Sequence, residues 1–480
     1  MKDFRLPASF ADAVDFDARL KDIDPALGCD ADLLDKTGPM GQSIQIGNKT
    51  LRNRFAIHPM EGWDGTHEGL PSEATLRRWR RFGLSGASLI WGGEAFAVVP
   101  EGRANPNQLH QGSSASAGDG LKGLLKELCI GREEAGVEQQ DFFAGLQLTH
   151  SGRWSSPTKA GASPRIAYRH PTLDERAGVQ SDEAILTDEE IAALPGKYAA
   201  AALLAAEAGF GFVDVKCCHG YLLHEFLSAR SRPGPWGGDF EGRTRLFREI
   251  VAAVREAAPA IEIGVRLSVT DLFPFSSGEE GRGEPDGLEK NLPYEAAFGL
   301  NPDNPLQPDF AEPFRFISLL EKMGISLINL TVGSPYYCPH AQRPAAFPPS
   351  DGYQPPVDPL ESVAAHLLAA RACKEEFPHM IFVGSGYSYL QDWLPHVAQN
   401  EIREGHVDFV GLGRMVLSYP ELPTDILAGR PLRKKQVCRT FSDCTTGPRN
   451  GMPSGCYPLD PHYRGLPEAK RIRALRPRKN

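Results

Sequence analysis

Residues 209–245 of the chain read GFGFVDVKCCHGYLLHEFLSARSRPGPWGGDFEGRTR. The stretch begins as a short apolar strand and passes through a polar, glycine-rich loop into a helical pattern. The turn from strand to loop gathers four ionisable side chains, those of Lys216, His219, Tyr221 and His224. Groups that donate hydrogen bonds or move protons beside a buried strand indicate a site of chemistry. We expect His224, on the helix after the turn, to be structural.

The same strand–loop–helix unit recurs along the chain. Apolar runs predict strands at residues 54–58, 87–91, 142–148, 212–216, 261–267, 327–331, 381–384 and 409–412. Eight strands alternating with helices favour an α/β fold, the (β/α)8 TIM barrel. The alternative is a doubly wound sheet, which would carry a G-x-G-x-x-G turn after an early strand, and we find no such turn.

Helix starts are marked by side chains that cap free backbone N–H groups. Thr187, Asp309 and Ser388 each open a pattern that resembles a capping box, with Glu or Gln three residues later. Asp358 precedes a proline at the first helical position, where the missing N–H costs nothing. These positions predict the beginnings of four helices.

The chain divides into three regions. We expect an irregular covering arm at residues 1–45, the barrel at residues 46–430 and an extension at residues 431–480. Two long insertions, at residues 151–186 and 268–308, are rich in proline, glycine and charge. Because loops at one end of a barrel shape its cavity, we expect both insertions to border the substrate site.

Composition excludes several classes of partner. The 480 residues are 41% hydrophobic and 24% charged, which predicts a globular protein with a large core. A net charge of -9 argues against nucleic acid as the main partner. No run of about 18 apolar residues exists to span a membrane. Nine irregularly spaced cysteines fit a reducing compartment. We expect a cytoplasmic protein that acts on a small molecule, and a homo-oligomer is compatible with this composition.

Polar or glycine motifs follow the predicted strands one after another. They are His58-Pro59-Met60, Gly92-Gly93-Glu94, Gln147 with His150, Lys216 with His219, Arg266, Gly384-Ser385-Gly386 and Gly411-Leu412-Gly413-Arg414. Any single motif is explained by an ordinary turn, but a barrel brings all of these strand ends to one mouth. The glycines after the last two strands, with Arg414, are typical of a phosphate site, because bare N–H groups and a guanidinium bind the oxygens.

Seven stretches carry a resemblance to a known family. They are LRNRFAIHPM at 51–60, QLTHSGR at 147–153, HGYLLHEFLS at 219–228, WGGDFEGR at 236–243, VRLS at 265–268, GSG at 384–386 and GLGR at 411–414. In register over about residues 40–430, they resemble the old yellow enzyme family of NADH:flavin oxidoreductases, near its 2,4-dienoyl-CoA reductase branch. The sequence ends at residue 480, so we expect it to lack the flavin and dinucleotide domains that follow in that branch.

The resemblance implies FMN across the barrel mouth, with NADH or NADPH as co-substrate. By matched position, Pro59 and Met60 would touch the flavin ring, and Gln147 would bond its pyrimidine edge. Arg266 would stabilise the anionic reduced flavin. The implied phosphate ligands are Gly384, Ser385, Gly386, Gly413 and Arg414.

The resemblance also implies a reaction. Two side chains three apart after the fourth strand would grip a substrate carbonyl, and these are Lys216 and His219. Tyr221 would be the proton donor in the reduction of a carbonyl-conjugated C=C bond. Trp91 and Glu94 are further candidates for the cavity wall.

This chain departs from the family at Lys216, where histidine is usual. An ammonium still donates to a carbonyl oxygen and adds full charge. Three alternatives stay open on sequence alone: the reverse reaction, as a flavin-dependent dehydrogenase or desaturase; a flavin-free lyase with a Schiff base on Lys216; and a non-catalytic flavin-binding protein.

The extension departs from the family as well. Its cysteines Cys438, Cys444 and Cys456 are separated by five and eleven residues. The dienoyl-CoA reductase branch holds an iron–sulfur cluster there on four cysteines, and such a cluster takes four thiolates. We therefore expect a degenerate segment without a cluster; zinc on three cysteines and one other residue is the alternative.

Overall fold

The structure is a computed structural model that describes residues 4–112, 114–138 and 140–476. At its centre eight parallel strands form a closed ring. They are β1 Phe55–Ile57, β2 Leu89–Ile90, β3 Phe143–Thr149, β4 Phe212–Val215, β5 Glu262–Thr270, β6 Leu327–Val332, β7 Ile381–Gly384 and β8 Phe409–Leu412. Each strand pairs with the next, and β8 pairs with β1, which closes the ring. The predicted (β/α)8 barrel is confirmed.

The main helices between the strands cover the outside of this ring. They are α1 Glu73–Leu84, α2 Ser114–Glu134, α3 Asp188–Ala208, α4 Phe240–Ala257, α5 Ala311–Lys322, α6 Pro359–Glu376 and α7 Leu394–Arg403. Because both faces of the strands are covered, β3 is buried along its whole length. This explains why the strands were visible as continuous apolar runs.

Two of the four predicted helix starts are confirmed with their caps, and a third helix begins at Ala311, two residues after Asp309. Thr187 forms a capping box with Glu190, and the Asp358 carboxylate accepts from the backbone N–H of Leu360. The capping boxes at Asp309 and Ser388 are wrong. Asp309 bonds the N–H of Ala311 without a capping box, and Ser388 lies inside the 3-10 segment Tyr387–Trp393.

A hairpin closes the amino end of the barrel. Its strands, Ile44–Ile46 and Lys49–Leu51, are antiparallel. Ile46 and Leu51 pack in one buried cluster with the first residues of several barrel strands, including Phe143, Phe212 and Phe409. The opposite, carboxyl end is therefore the end that loops can build into a site.

The loops and the arm contain structure that the sequence analysis did not predict. Strand Ala95–Ala97 pairs with β3, and the insertion after β5 contains the hairpins Phe275–Ser277/Gly283–Pro285 and Leu300–Asn301/Asn304–Pro308. Residues 1–3 of the arm lie outside the described residues. The rest is not irregular throughout, because it includes the helix Ala13–Ile23 with Phe16 and Leu20 buried.

The extension folds back onto the barrel. It forms the helices Asp443–Arg449, Pro461–Gly465 and Glu468–Leu475. Asp460 accepts two hydrogen bonds of 2.9 and 3.0 Å from Arg77 of α1. Across all the described ranges, no helix combines the length and the apolar character needed to cross a membrane.

Candidate active site

A cavity of about 1020 Å³ lies at the carboxyl end of the barrel strands, at the upper end of the size range of ligand pockets. The predicted site residues that line it are Pro59, Met60, Gln147, Lys216, His219, Tyr221, Arg266, Ser385, Gly386, Gly413 and Arg414. Both insertions also reach it, through Arg176 and through Phe275–Ser277.

Gly384 is the exception among the predicted site residues. It is the last residue of β7 and does not line the cavity. A Cβ added there would lie 2.9 Å from the Tyr387 hydroxyl oxygen. The glycine therefore makes room for a buried tyrosine, and its assignment as a phosphate ligand stays a prediction.

One buried carboxylate organises the deep wall of the cavity. Asp214 on β4 accepts hydrogen bonds from the Gln147 amide at 2.6 Å and from the Trp91 indole at 2.8 Å. Burial raises the pKa of Asp214 to about 6. Because the carboxylate takes the Gln147 NH₂ group, the amide oxygen of Gln147 is left to accept from a ligand N–H. Trp91 contacts Asp214 and does not line the cavity.

Arg266 lies beside this carboxylate. Its backbone N–H donates to Asp214 at 2.7 Å, and its Nε is buried without a hydrogen-bond partner. Within the described part of the chain, no carboxylate forms an ion pair with it. Burial lowers the pKa of the guanidinium. A buried, unpaired cation with a free donor suits an acceptor that carries negative charge, as the N1–C2 carbonyl region of reduced flavin does.

The outer end of the cavity carries the glycines of the predicted phosphate site. Gly386 has a φ of 93°, in the left-handed region that favours glycine. A Cβ added at Gly413 would meet nothing within 4 Å, so there is free space next to its backbone. Arg414 donates to the carbonyl of Pro344 through Nη2, and its Nη1 is buried without a partner. Free space next to a bare backbone and an unsatisfied guanidinium fit the phosphate of FMN.

Ser385 is engaged by the protein itself. Its hydroxyl donates to the carbonyl of Leu330 at 2.5 Å and lies 3.1 Å from His58 Nε2. His58 fills the space beside Gly411, where a Cβ would come within 2.1 Å of the imidazole. Any contact of Ser385 with a cofactor therefore falls to its backbone.

Lys216 and Tyr221 meet in the cavity. The Lys216 Nζ lies 3.3 Å from the centroid of the Tyr221 ring, a close cation–π contact. The Tyr221 hydroxyl is 3.1 Å from that of Tyr336. Burial lowers the pKa of Lys216 to about 8 and raises the pKa of Tyr221. At neutral pH the lysine is therefore largely an ammonium and the tyrosine keeps its proton.

His219 has fewer free hydrogen-bonding atoms than its position suggested. Its Nε2 lies 3.1 Å from the Gln342 amide, so one ring nitrogen is already taken. Burial lowers its pKa well below the usual value, which keeps the imidazole neutral. Its φ of 66° is left-handed, a strained conformation for a residue with a side chain. His224 does not line the cavity and accepts the N–H of Gly220, a structural role.

Several lining residues were not predicted. Glu61 follows directly after Pro59 and Met60, and Gln342 and Tyr336 come from the loop after β6. Glu94, a predicted candidate, is instead bonded to Arg78 away from the cavity. The only sequence signal that could have placed Glu61 in the cavity was its position directly after His58-Pro59-Met60. The loop after β6 carried no pattern that distinguishes it from an ordinary connection.

The extension supplies one wall of the cavity. Cys444, Thr445, Pro448, Arg449 and Ser454 line it. The Thr445 hydroxyl accepts a hydrogen bond from Arg343, and Arg449 forms an ion pair of 2.7 Å with Asp351. These contacts attach the wall to loops of the barrel.

The three cysteines of the extension are free thiols. Cys438, Cys444 and Cys456 border a small cavity of about 20 Å³ that also touches Arg414. Among the residues the structure describes, no group of three or more His, Cys, Asp and Glu side chains has an arrangement that could hold a metal ion.

Comparison with known proteins gives three kinds of match. Residues 40–280 match the sequence model of the NADH:flavin oxidoreductase / NADH oxidase family. An NADPH dehydrogenase of Clostridium acetobutylicum is 30% identical over 233 residues, covering 48% of this chain and 64% of that protein. A metal reductase of Desulforamulus reducens is 26% identical over 391 residues, covering 81% of this chain and 48% of that protein.

The third kind of match is structural. The solved structure of a 2-naphthoyl-CoA reductase superposes with a TM-score of 0.65 at 18% identity, covering 88% of this chain and 57% of that chain. At this identity the likeness shows the fold alone. The chain spans between about half and two-thirds of the length of the curated relatives it matches.

Proposed function

The chain belongs to the NADH:flavin oxidoreductase / NADH oxidase family, and on this basis we propose that it is an FMN-dependent enzyme that uses NAD(P)H to reduce a carbonyl-conjugated C=C bond. Bound FMN would supply the two-electron chemistry, taking hydride from the nicotinamide and giving it to the alkene. The residues suited to hold it are Pro59, Met60, Gln147, Arg266, Gly386, Gly413 and Arg414. The observation that carries the proposal is the Lys216 ammonium over the Tyr221 ring in the cavity that Arg266 also lines.

Lys216 would bind the substrate carbonyl oxygen. Its ammonium has three donors, and the Tyr221 ring occupies one side of it. As negative charge develops on the carbonyl oxygen, a fixed cation in a buried site stabilises that charge without reorganisation. The free ring nitrogen of His219 would complete the grip on the same oxygen.

Tyr221 would donate the proton to the α-carbon. Burial raises its pKa, so the phenol is protonated at neutral pH. The Tyr336 hydroxyl, 3.1 Å away, is placed to return a proton afterwards. The same groups would serve the reverse direction, in which Tyr221 accepts the proton and the substrate is desaturated.

Anaerobic titration tests this function. We expect NADH or NADPH to bleach the yellow FMN protein, and a cyclic enone from a test panel to restore the colour with formation of the saturated ketone. Bleaching by a saturated ketone instead would identify the desaturase direction. Reduced protein that no enone reoxidises would contradict the proposal.

A further inference from the structure

Arg343 lines the active-site cavity but has no place in the proposed reaction. It lies on the loop that follows β6, and each of its two neighbours in the chain contacts a residue of the site. The Gln342 amide is 3.1 Å from His219 Nε2. The carbonyl of Pro344 accepts a hydrogen bond of 2.8 Å from Arg414 Nη2. The backbone of Arg343 is therefore fixed between the substrate grip and the predicted phosphate site.

The extension fixes the side chain of Arg343. Its Nη2 donates to the hydroxyl of Thr445, which is 8% exposed and belongs to the helix Asp443–Arg449. Cys444, the neighbour of Thr445, lines the main cavity and also borders the small cavity beside it. Arg414 lines the same two cavities. The guanidinium of Arg343 is therefore held on the side of the main cavity where Arg414 lies.

Arg343 and Arg414 are cations without a counter-ion. Over the described ranges, neither guanidinium has a carboxylate within ion-pair distance, and the protein oxygens that accept from them are uncharged. Burial lowers the pKa of Arg343 to about 10, and the charges of Arg414 and Arg449 act in the same direction. An anion bound between the two unpaired cations would offset both the desolvation and the repulsion.

The amount of unpaired charge indicates the kind of anion. Arg449, a third arginine of this wall, is already neutralised by an ion pair of 2.7 Å with Asp351. Arg343 and Arg414 thus leave two positive charges uncompensated. A phosphate monoester carries about two negative charges at pH 7, whereas a carboxylate carries only one, so the monoester matches this wall better. Guanidinium groups also bind phosphate oxygens in a bidentate way.

We propose that Arg343 is a second phosphate-binding residue of the cavity, which neutralises a phosphate monoester together with Arg414 and is oriented by Thr445 of the extension. The bare backbones of Gly386 and Gly413 favour the phosphate of FMN as the group that is bound. The 2′-phosphate of NADPH has the same chemistry and is the other source. Thr445 is a positioning residue that acts through Arg343. The inference rests on the proposed function for the identity of the cofactor.

The comparison of FMN with riboflavin, which lacks the phosphate, tests this inference on the full chain. We expect Arg343→Gln to weaken FMN binding about 30-fold, the effect of losing a charge-assisted hydrogen bond, and to leave riboflavin binding unchanged. Quenching of flavin fluorescence measures both affinities. Arg449→Gln is the matched control and should keep both affinities, because Arg449 is already paired with Asp351.

The role of Thr445 has its own pair of variants. Thr445→Val removes the hydroxyl that holds Arg343, and we expect about fivefold weaker FMN binding with riboflavin binding unchanged. Thr445→Ser keeps the hydroxyl and should bind FMN as the wild type does. Wild-type FMN affinity in Thr445→Val would overturn the positioning role.

FMN affinity that stays unchanged in Arg343→Gln would overturn the proposal if NADPH and NADH also half-saturate flavin reduction at their wild-type concentrations. A loss confined to NADPH would instead identify the coenzyme as the source of the phosphate. Equal losses for FMN and riboflavin would overturn the proposal as well. Should Arg343→Gln not fold, Arg343→Lys keeps the charge without the guanidinium, and we expect about fivefold weaker FMN binding; no loss for FMN or NADPH there overturns the proposal too.

Flavin binding requires no enone turnover, so the two proposals fail separately. A protein that binds FMN through Arg343 and reduces no enone would contradict only the proposed function. An enone reductase whose affinities for FMN and NADPH do not depend on Arg343 would contradict only the present inference.

Discussion

The Gln147 amide donates a hydrogen bond of 2.6 Å to the Asp214 carboxylate on the neighbouring barrel strand. The same carboxylate accepts the backbone N–H of Arg266 at 2.7 Å. A single buried acid therefore binds the side chain of Gln147 and the backbone of Arg266, the two residues that we assign to the pyrimidine edge of FMN. Neither contact was visible in the sequence, because β3, β4 and β5 become neighbours only in the barrel.

Replacement of Asp214 tests this arrangement. In Asp214→Asn one acceptor oxygen becomes an NH₂ group, which faces either the Gln147 amide or the backbone N–H of Arg266, so one of these two hydrogen bonds is lost. We expect FMN to bind about tenfold more weakly, or about 1.4 kcal/mol, as measured by quenching of FMN fluorescence. Trp91→Phe removes a different donor to Asp214 and should change FMN affinity much less. Equal losses in both variants would indicate general damage to the core.

Arg414 is expected to recognise the phosphate and not the ring. Arg414→Gln should weaken FMN binding by about 2 kcal/mol, the value of a charge-assisted hydrogen bond, and leave riboflavin binding unchanged. Arg449→Gln is the matched control, because Arg449 also lines the cavity but is paired with Asp351. Parallel losses for FMN and riboflavin would place Arg414 away from the phosphate.

We expect the buried ammonium of Lys216 to lower the free energy of unfolding of the protein. Burial lowers its pKa from 10.5 to about 8, so between these values the unfolded chain binds more protons than the folded protein. The stability of the wild type therefore rises with pH across this window. We expect Lys216→Met to raise the free energy of unfolding at pH 7 by about 2 kcal/mol, and this gain to shrink toward pH 10. Lys197→Met, at an exposed lysine, should stay within about 0.5 kcal/mol at both pH values, measured by urea unfolding.

The chemical duty of Lys216 is tested by Lys216→His. An imidazole can also donate to a carbonyl oxygen, so we expect kcat/KM for an enone to be retained or raised. Lys216→Met, which has no donor, should lose about 100-fold, the typical effect of removing one donor to a developing oxyanion. A loss of kcat/KM in both variants would indicate that the reaction needs the ammonium and that an imidazole cannot replace it.

The barrel could be predicted because its signals are local. A strand covered on both faces is a continuous apolar run, and β7 and β8 begin and end at the predicted residues. β5 extends to Thr270, beyond its predicted end, because its last residues pair with β6 before the long insertion begins. Even here the boundary depended on a neighbouring strand that lies far away in the sequence.

The site could be predicted only where a strand end fixes the side chain. Lys216, Gln147 and Arg266 follow directly from the strand positions. Glu61 and Gln342 depend on loop paths that other residues set, such as the packing of Arg78 under Gly62. The cavity wall from the extension depends on long-range contacts, including that of Arg343 with Thr445. No pattern within either segment encodes these contacts.

A crystal structure of the protein with FMN tests the central claim most directly. We expect the pyrimidine edge of the flavin within hydrogen-bond distance of Gln147 and Arg266, its phosphate at Gly386, Gly413 and Arg414, and Lys216 and Tyr221 facing the open side of the ring. A protein that takes up no FMN, or that binds it away from the carboxyl end of the barrel, would contradict the roles assigned to all of these residues.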